Sequence, residues 1–378
     1  MRSTSFSWAI PISIKTVLPL LTLFFLTTPP FIHNSRNTNP ALTHAIINKH
    51  GSHINNIINI NNISSLSDPF FDTKILNNPR KMQKVLKSEG FIEGFFNTQD
   101  NIRINYLYKT QPNARYNFLF CCGWWPGRKE ALGTFYRLIP SDANMMLFDA
   151  RGHGRSEGSM FTTTYGLSEY KDIIGAIKFL HETSGKPTII LGICAGAFHA
   201  AHAIANLEAT GMAEQYQIKG LIFDSGWTSV ASVSRTTPSA HLTRMLHKWL
   251  GSEHASENTN TKGVFTHVTE RSIDILCGIA HTLLLRPFFV RYEHETNLSK
   301  KINNIQTPIL FIHGTNDTHA PISETQKLAE RAPNSECWWI SQPSHHGCHH
   351  LKHTERYRIK LHAFIEKITT KNEQNLLN

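Results

Sequence analysis

The chain has 378 residues, 40% of them apolar and 17% charged, against roughly 25% charged in an average soluble protein. That composition excludes a chain disordered throughout, and the absence of recurring long charge-free runs excludes a multi-span membrane protein. The net charge is +10, with a pI near 9.3, but nothing gathers the positive residues into a stripe, so no nucleic-acid partner is expected. The six cysteines, Cys121, Cys122, Cys194, Cys277, Cys337 and Cys348, form no CxxC pair and no framework spacing, which argues against a disulfide scaffold and for a reducing environment.

The N-terminus argues the other way. Residues 16–32 run without a charge, with a tight apolar core at 17–26 behind Arg2 and Lys15. A core of that length has the form of a signal peptide, with Ala45 at a weak cleavage site, or of an uncleaved anchor, though Pro19, Pro29 and Pro30 make it marginal for spanning a bilayer. Localisation is therefore expected to be membrane-associated or exported, with a cytoplasmic chain as the alternative. Residues 54–63 contain only Ile and Asn, a biased tract without a period that a core could use. The expected organisation is 1–32 signal or anchor, 33–80 low-complexity linker, and 81–378 catalytic domain.

From residue 90 a regular alternation begins. Strands are expected at 91–96, 102–109, 116–122, 144–149, 187–193, 218–224, 308–313 and 336–340. The later ones are continuous runs of β-branched and aromatic residues, as in strands covered on both faces of a parallel sheet. Helical periods fall at 128–138, 166–183, 195–210, 322–331 and 347–369, giving β-α-β units and an α/β fold with helices on both faces. The first two strands have no helix between them and are expected to pair antiparallel. Residues 228–300 are too long for an ordinary connection and are expected to form an inserted helical cap. Its apolar piece, 275–290, either packs on the cap's own helices, lines an acyl site, or faces a membrane.

The segment Gly192-Ile-Cys194-Ala-Gly196 lies where an apolar strand ends and an Ala-rich helix begins. A nucleophile on such a turn is forced into a strained backbone, and the residues two positions either side must be small. The helix N-terminus also favours a thiolate. Without a catalytic role, Cys194 would be a small residue at a tight turn. Gly154-Arg-Ser156-Glu-Gly158 matches the same spacing with serine, but it follows a loop and leads into no helix, so Ser156 is read as structural.

On these residues, together with Phe148-Asp-Ala-Arg-Gly-His-Gly-Arg-Ser-Glu-Gly158, the chain from about 90 to 369 resembles the α/β-hydrolase superfamily. The resemblance implies a mostly parallel eight-stranded sheet and a nucleophile–acid–histidine order. Cys194 departs from it by standing where most members carry serine, as in dienelactone hydrolase-like enzymes and some acyltransferases.

Asp317 follows the strand at 308–313, at the end of a parallel strand where open α/β sheets gather their sites, and fits the acid. For the base, two histidines are adjacent. His346, before Gly347, fits the register best, and His345 is the alternative base. His346, His350 and His353 also share a helical face in a His-rich tract, a spacing that can hold a metal; in a chain with 22 histidines chance clustering competes with that reading, and neither metal nor cofactor is expected. The amides of Ala195 and Trp124 fit the oxyanion hole, with Cys122-Gly123 standing where the resemblance expects His-Gly. Trp124 and Trp125 either floor the pocket or cover the sheet edge.

The expected activity is hydrolysis of an ester or thioester of a small acyl substrate through Cys194, His346 and Asp317, with an acyl-thioenzyme intermediate. Acyl transfer by the same triad is the alternative, and an inactive protein that keeps the fold for binding is the second.

Overall fold

The structure, a computed structural model, describes residues 78–124, 127–158, 164, 166–230, 232, 295–317, 319–341 and 346–375. The N-terminal expectations for 1–77, Trp125, His345 and nearly all of the insertion, including 275–290, lie outside the described residues.

Eight strands form one sheet: β1 (Ile92–Asn97), β2 (Arg103–Lys109), β3 (Tyr116–Cys121), β4 (Ala143–Phe148), β5 (Thr188–Ile193), β6 (Ile218–Asp224), β7 (Ile309–Gly314) and β8 (Ser335–Ile340), in the order β1-β2-β4-β3-β5-β6-β7-β8. β1 pairs antiparallel with β2 and β2 with β4; every pairing from β4 to β8 is parallel. This is the α/β-hydrolase arrangement. The continuous apolar strands behave as their composition demands: β3, β4, β5 and β7 are buried at every residue.

The helices divide between the two faces. On one, α2 (Tyr170–Ser184) and α3 (Ala195–Ala209) cover Leu119, Ile190 and Phe223; on the other, α1 (Pro79–Ser88), a 3-10 segment (Lys129–Leu138) and α7 (Thr354–Asn375) cover Phe118, Leu191 and Ile222. α3 is buried along 195–204, which its run of alanines permits because small side chains let the helix lie close to the strands and to α2 at once. A short α4 (Met212–Gln215), α5 (Ile322–Arg331) and a four-residue α6 (His349–Lys352) complete the set.

Three elements depart from expectation. α1 has no counterpart in the expected order; it is launched by Asn78, whose side chain accepts the amide N–H of Lys81, with Pro79 at its first position, and it buries Met82 and Leu86. The segment expected as a helix at 128–138 winds as a 3-10 helix. The helix expected at 347–369 breaks at His353 into α6 and α7. Among the described residues, no helix is long and apolar enough to cross a membrane.

Candidate active site

Because β3, β5, β6, β7 and β8 run parallel, their C-terminal ends lie along one edge of the sheet, and Trp124, Cys194, Asp317 and His346 follow the ends of β3, β5, β7 and β8. Cys194 is the turn between β5 and α3. Its backbone is left-handed, φ 55° and ψ −121°, a conformation costly for a residue with a Cβ. Its amide donates to the Asp224 carbonyl at 2.9 Å, and its carbonyl starts α3 by accepting from Ala197 and Phe198. A methyl on Gly196 would collide with the carbonyls of Cys121 and Cys122, and one on Gly192 with the backbone of Ala197. The two small residues of the motif are thus explained by close backbone approach, one to β3 and one to the start of α3. The half-buried Cys194 touches the apolar clusters on both faces of the sheet.

Asp317 leaves β7 buried. Its Oδ1 accepts the amide N–H groups of His319 at 2.9 Å and Ala320 at 3.0 Å, and its Oδ2 meets His346 Nδ1 at 2.6 Å, with His313 Nε2 at 3.4 Å. Burial alone would raise this carboxyl; the charge of His346 and the hydrogen bonds from His313 and His346 override it and hold Asp317 well below the usual carboxylate range. Cys194 acts on the same ring. Burial pulls its imidazole down, but the charges of Asp317 and Cys194 on either side push it well above its ordinary value. With Nδ1 committed to Asp317, Nε2 is the nitrogen left for the thiol. His346, the histidine before Gly347, thus meets Asp317.

The loop after β3 passes directly over the turn: a Cβ on Gly123 would lie 3.0 Å from that of Cys194. The next amide belongs to Trp124. Ala195 is the first residue of α3, where backbone N–H groups have no partner within the helix. The Trp124 indole is stacked on Trp227, 6.0 Å between centroids, and Trp227 packs on Phe198, so Trp124 belongs to an aromatic group beside the turn rather than to the sheet's edge.

The segment 148–158 supports this loop. His153 Nε2 lies 3.1 Å from the Trp124 carbonyl, and Arg151 bridges Asp100 and Asp172. Ser156, the other serine-centred match, donates its hydroxyl to the Asp149 carbonyl at 2.7 Å and accepts the Asn105 amide at 2.8 Å, a structural role as expected. Cys121 and Cys122 are buried, and burial pushes the Cys122 thiol up to about 12, with Asp149 adding to it. Five described cysteines, Cys121, Cys122, Cys194, Cys337 and Cys348, are free thiols.

Within the described part of the His-rich tract, His346 and His350 have different neighbours. His346 faces Asp317, whereas His350 Nε2 meets Thr134 Oγ1 at 2.8 Å and its ring stacks on Phe135 with centroids 3.7 Å apart. Two supports escaped the sequence reading. His313, inside β7, lies 3.4 Å from Asp317 Oδ2 while its Nε2–H donates to the Ala320 carbonyl at 2.7 Å, and His319 stacks on His346 at 5.2 Å. Only their nearness to Asp317 in sequence could have drawn attention to them.

The family profile described as Serine aminopeptidase, S33 (Hydrolase_4) matches residues 129–357. Among curated proteins, the uncharacterized protein YqkD of Bacillus subtilis (strain 168) is 28% identical over 72 residues, 19% of this chain, and the match spans about a quarter (24%) of that relative's length. Among solved structures, the Pyrococcus furiosus esterase Pf2001 superposes with a TM-score of 0.52 at 17% identity, covering 77% of this chain and 95% of the esterase. A membrane phospholipase A described as a bacterial virulence factor gives 0.53 at 15%, covering 77% and 91%. At such identities these two structures bear on the fold alone.

Proposed function

The chain belongs to the serine aminopeptidase S33 family of α/β-fold hydrolases, and from that premise we propose that it is an esterase-type hydrolase whose nucleophile is the Cys194 thiol rather than a serine hydroxyl. The single observation that supports the reading is His346, hydrogen-bonded to Asp317 at 2.6 Å and acted on by Cys194, which sits at φ 55° on the strand-to-helix turn.

In this reading His346 takes the thiol proton and Asp317 stabilises the resulting imidazolium. The thiolate attacks the acyl carbonyl of an ester or thioester, and the oxyanion forms between the amides of Ala195 and Trp124. As the tetrahedral intermediate collapses, His346 returns the proton to the leaving alcohol or thiol. A water deprotonated by His346 then cleaves the acyl-thioenzyme, releasing the acid and restoring Cys194.

The test uses the full chain, reduced, with p-nitrophenyl esters and acyl thioesters of several chain lengths. Wild type is expected to turn over and to yield an acyl adduct by intact mass, while Cys194→Ala loses both, by at least about a thousandfold in rate. A folded wild type that gives neither adduct nor turnover across the series would overturn the reading in favour of a binding protein.

A further inference from the structure

β6 ends at Asp224 and Ser225 follows it, a pair that no motif singles out. Both residues are fully buried, and Ser225 has a left-handed backbone, φ 53°, which a side chain adopts only where the surroundings hold it. The pair touches the segment behind every member of the triad. The Asp224 carbonyl accepts the Cys194 amide at 2.9 Å. The Ser225 amide donates at 2.9 Å to Ile312, in the strand that delivers Asp317. The Ser225 hydroxyl faces the amide of Gly347, next to His346, at 3.4 Å.

Counting protons assigns the direction of each bond. Ser225 Oγ carries one proton, and the Asp224 carboxylate, 2.8 Å away, only accepts, so the hydroxyl donates to it. His349 Nε2, 2.9 Å from Oγ, must then donate to the serine, as does the Gly347 amide. His349 Nε2 is 3.7 Å from Asp224 Oδ1, beyond hydrogen-bonding distance, so the serine is the bridge between them. On the far side, the Tyr357 hydroxyl of α7 donates to Asp224 Oδ2 at 2.9 Å. The chain Tyr357–Asp224–Ser225–His349 therefore anchors the turn 346–349 to the core through one buried oxygen that gives one hydrogen bond and takes two.

We propose that Ser225 is a positioning residue, the bridge that holds the 346–349 turn so that His346 faces Cys194. The inference rests on the reading of Cys194 as nucleophile. An apolar side chain in its place would take from the buried His349 Nε2–H its acceptor and from Asp224 Oδ1 its donor, and the turn would be released from β6. Ordinary packing would not need a hydroxyl here, nor a residue held at positive φ.

The test is iodoacetamide alkylation of Cys194, read by peptide mass in the full chain at about pH 6 and about pH 9, where an ion-paired thiol and an ordinary thiol differ most and least. Ser225→Gly removes the hydroxyl while easing the backbone at φ 53°. It is expected to slow alkylation at the lower pH by about tenfold and to leave the higher-pH rate within about twofold, with kcat on a p-nitrophenyl ester falling while KM holds. His349→Ala is expected to do the same, and His349→Gln, whose amide can donate to the same oxygen, to recover most of the loss. Alkylation of folded Ser225→Gly at the wild-type rate at the lower pH would overturn the proposal. Should that variant not fold, equal rates in His349→Ala and His349→Gln would do so. A wild-type Cys194 no faster at the lower pH than the exposed Cys337 would remove the nucleophile reading itself, and this inference with it.

Discussion

A thiol at φ 55° is held there by its neighbours rather than by its own preference, and the amide bond from Cys194 to the Asp224 carbonyl is one of the restraints. Asp317 is restrained in turn by two backbone amides on Oδ1, so its second oxygen has a fixed direction toward His346. Replacing Asp317 by Asn keeps the shape but loses the charge and offers a donor toward Nδ1, which favours the wrong tautomer. We expect kcat/KM for ester hydrolysis to fall by roughly three to four orders of magnitude, with little change in KM. A loss of less than about tenfold in steady-state assays would mean that the carboxylate does not orient the base. At this scale residue type and spacing single out Cys194, Asp317 and His346 in the sequence, and the fold sets His346 against Asp317. The sequence was silent on Ser225 and His349, 124 positions apart in the chain, because a serine after a strand and a histidine in a His-rich tract acquire meaning only when the fold joins them.

Among the elements, α3 depends on close approach. The turn works because Gly196 presents no Cβ to the carbonyls at the end of β3. Gly196→Ala is therefore expected to push α3 off β3 and to destabilise the fold by about 1–3 kcal/mol, lowering the urea midpoint at constant slope. An unchanged midpoint would show that the end of β3 yields easily. Strands were the most legible elements, because both-face burial forces continuous apolar runs such as Ile189, Ile190 and Leu191. α1 was hidden beside a compositionally biased tract and signals itself only through Asn78-Pro79. The break at His353 was hidden too: a helical period continues across it, while the fold turns the chain so that His349 and His350 point into the core and α7 starts afresh at Thr354.

Over the whole molecule, buried histidines link stability to pH. His202 in α3 donates Nε2–H to the Thr296 carbonyl at 2.7 Å and accepts from Lys301 Nζ at Nδ1, 3.3 Å, an arrangement for the neutral ring. Burial, with Lys301 adding, lowers His202 to about 3 from its ordinary 6.5. The folded state thus refuses a proton that the unfolded chain accepts. This stabilisation is complete above about pH 6.5 and is lost as the pH falls toward about 3, at up to about 1.4 kcal/mol per pH unit. We expect the urea midpoint to drop on acidification across that window and His202→Gln to make the dependence shallower by about one proton; parallel curves for the two proteins would assign the acid sensitivity elsewhere.

β6 and β7 are hydrogen-bonded neighbours in the sheet although 84 residues separate Asp224 from Ile309. The strand that supplies Ser225 and the strand that supplies Asp317 hold each other directly, and the chain between them is a detour whose entropic cost grows only with the logarithm of its length. That makes the junction a docking port for innovation. A change in the length of that connection leaves the register from Leu221 and Ile309 onward, and with it the placement of Ser225 relative to Asp317, unchanged.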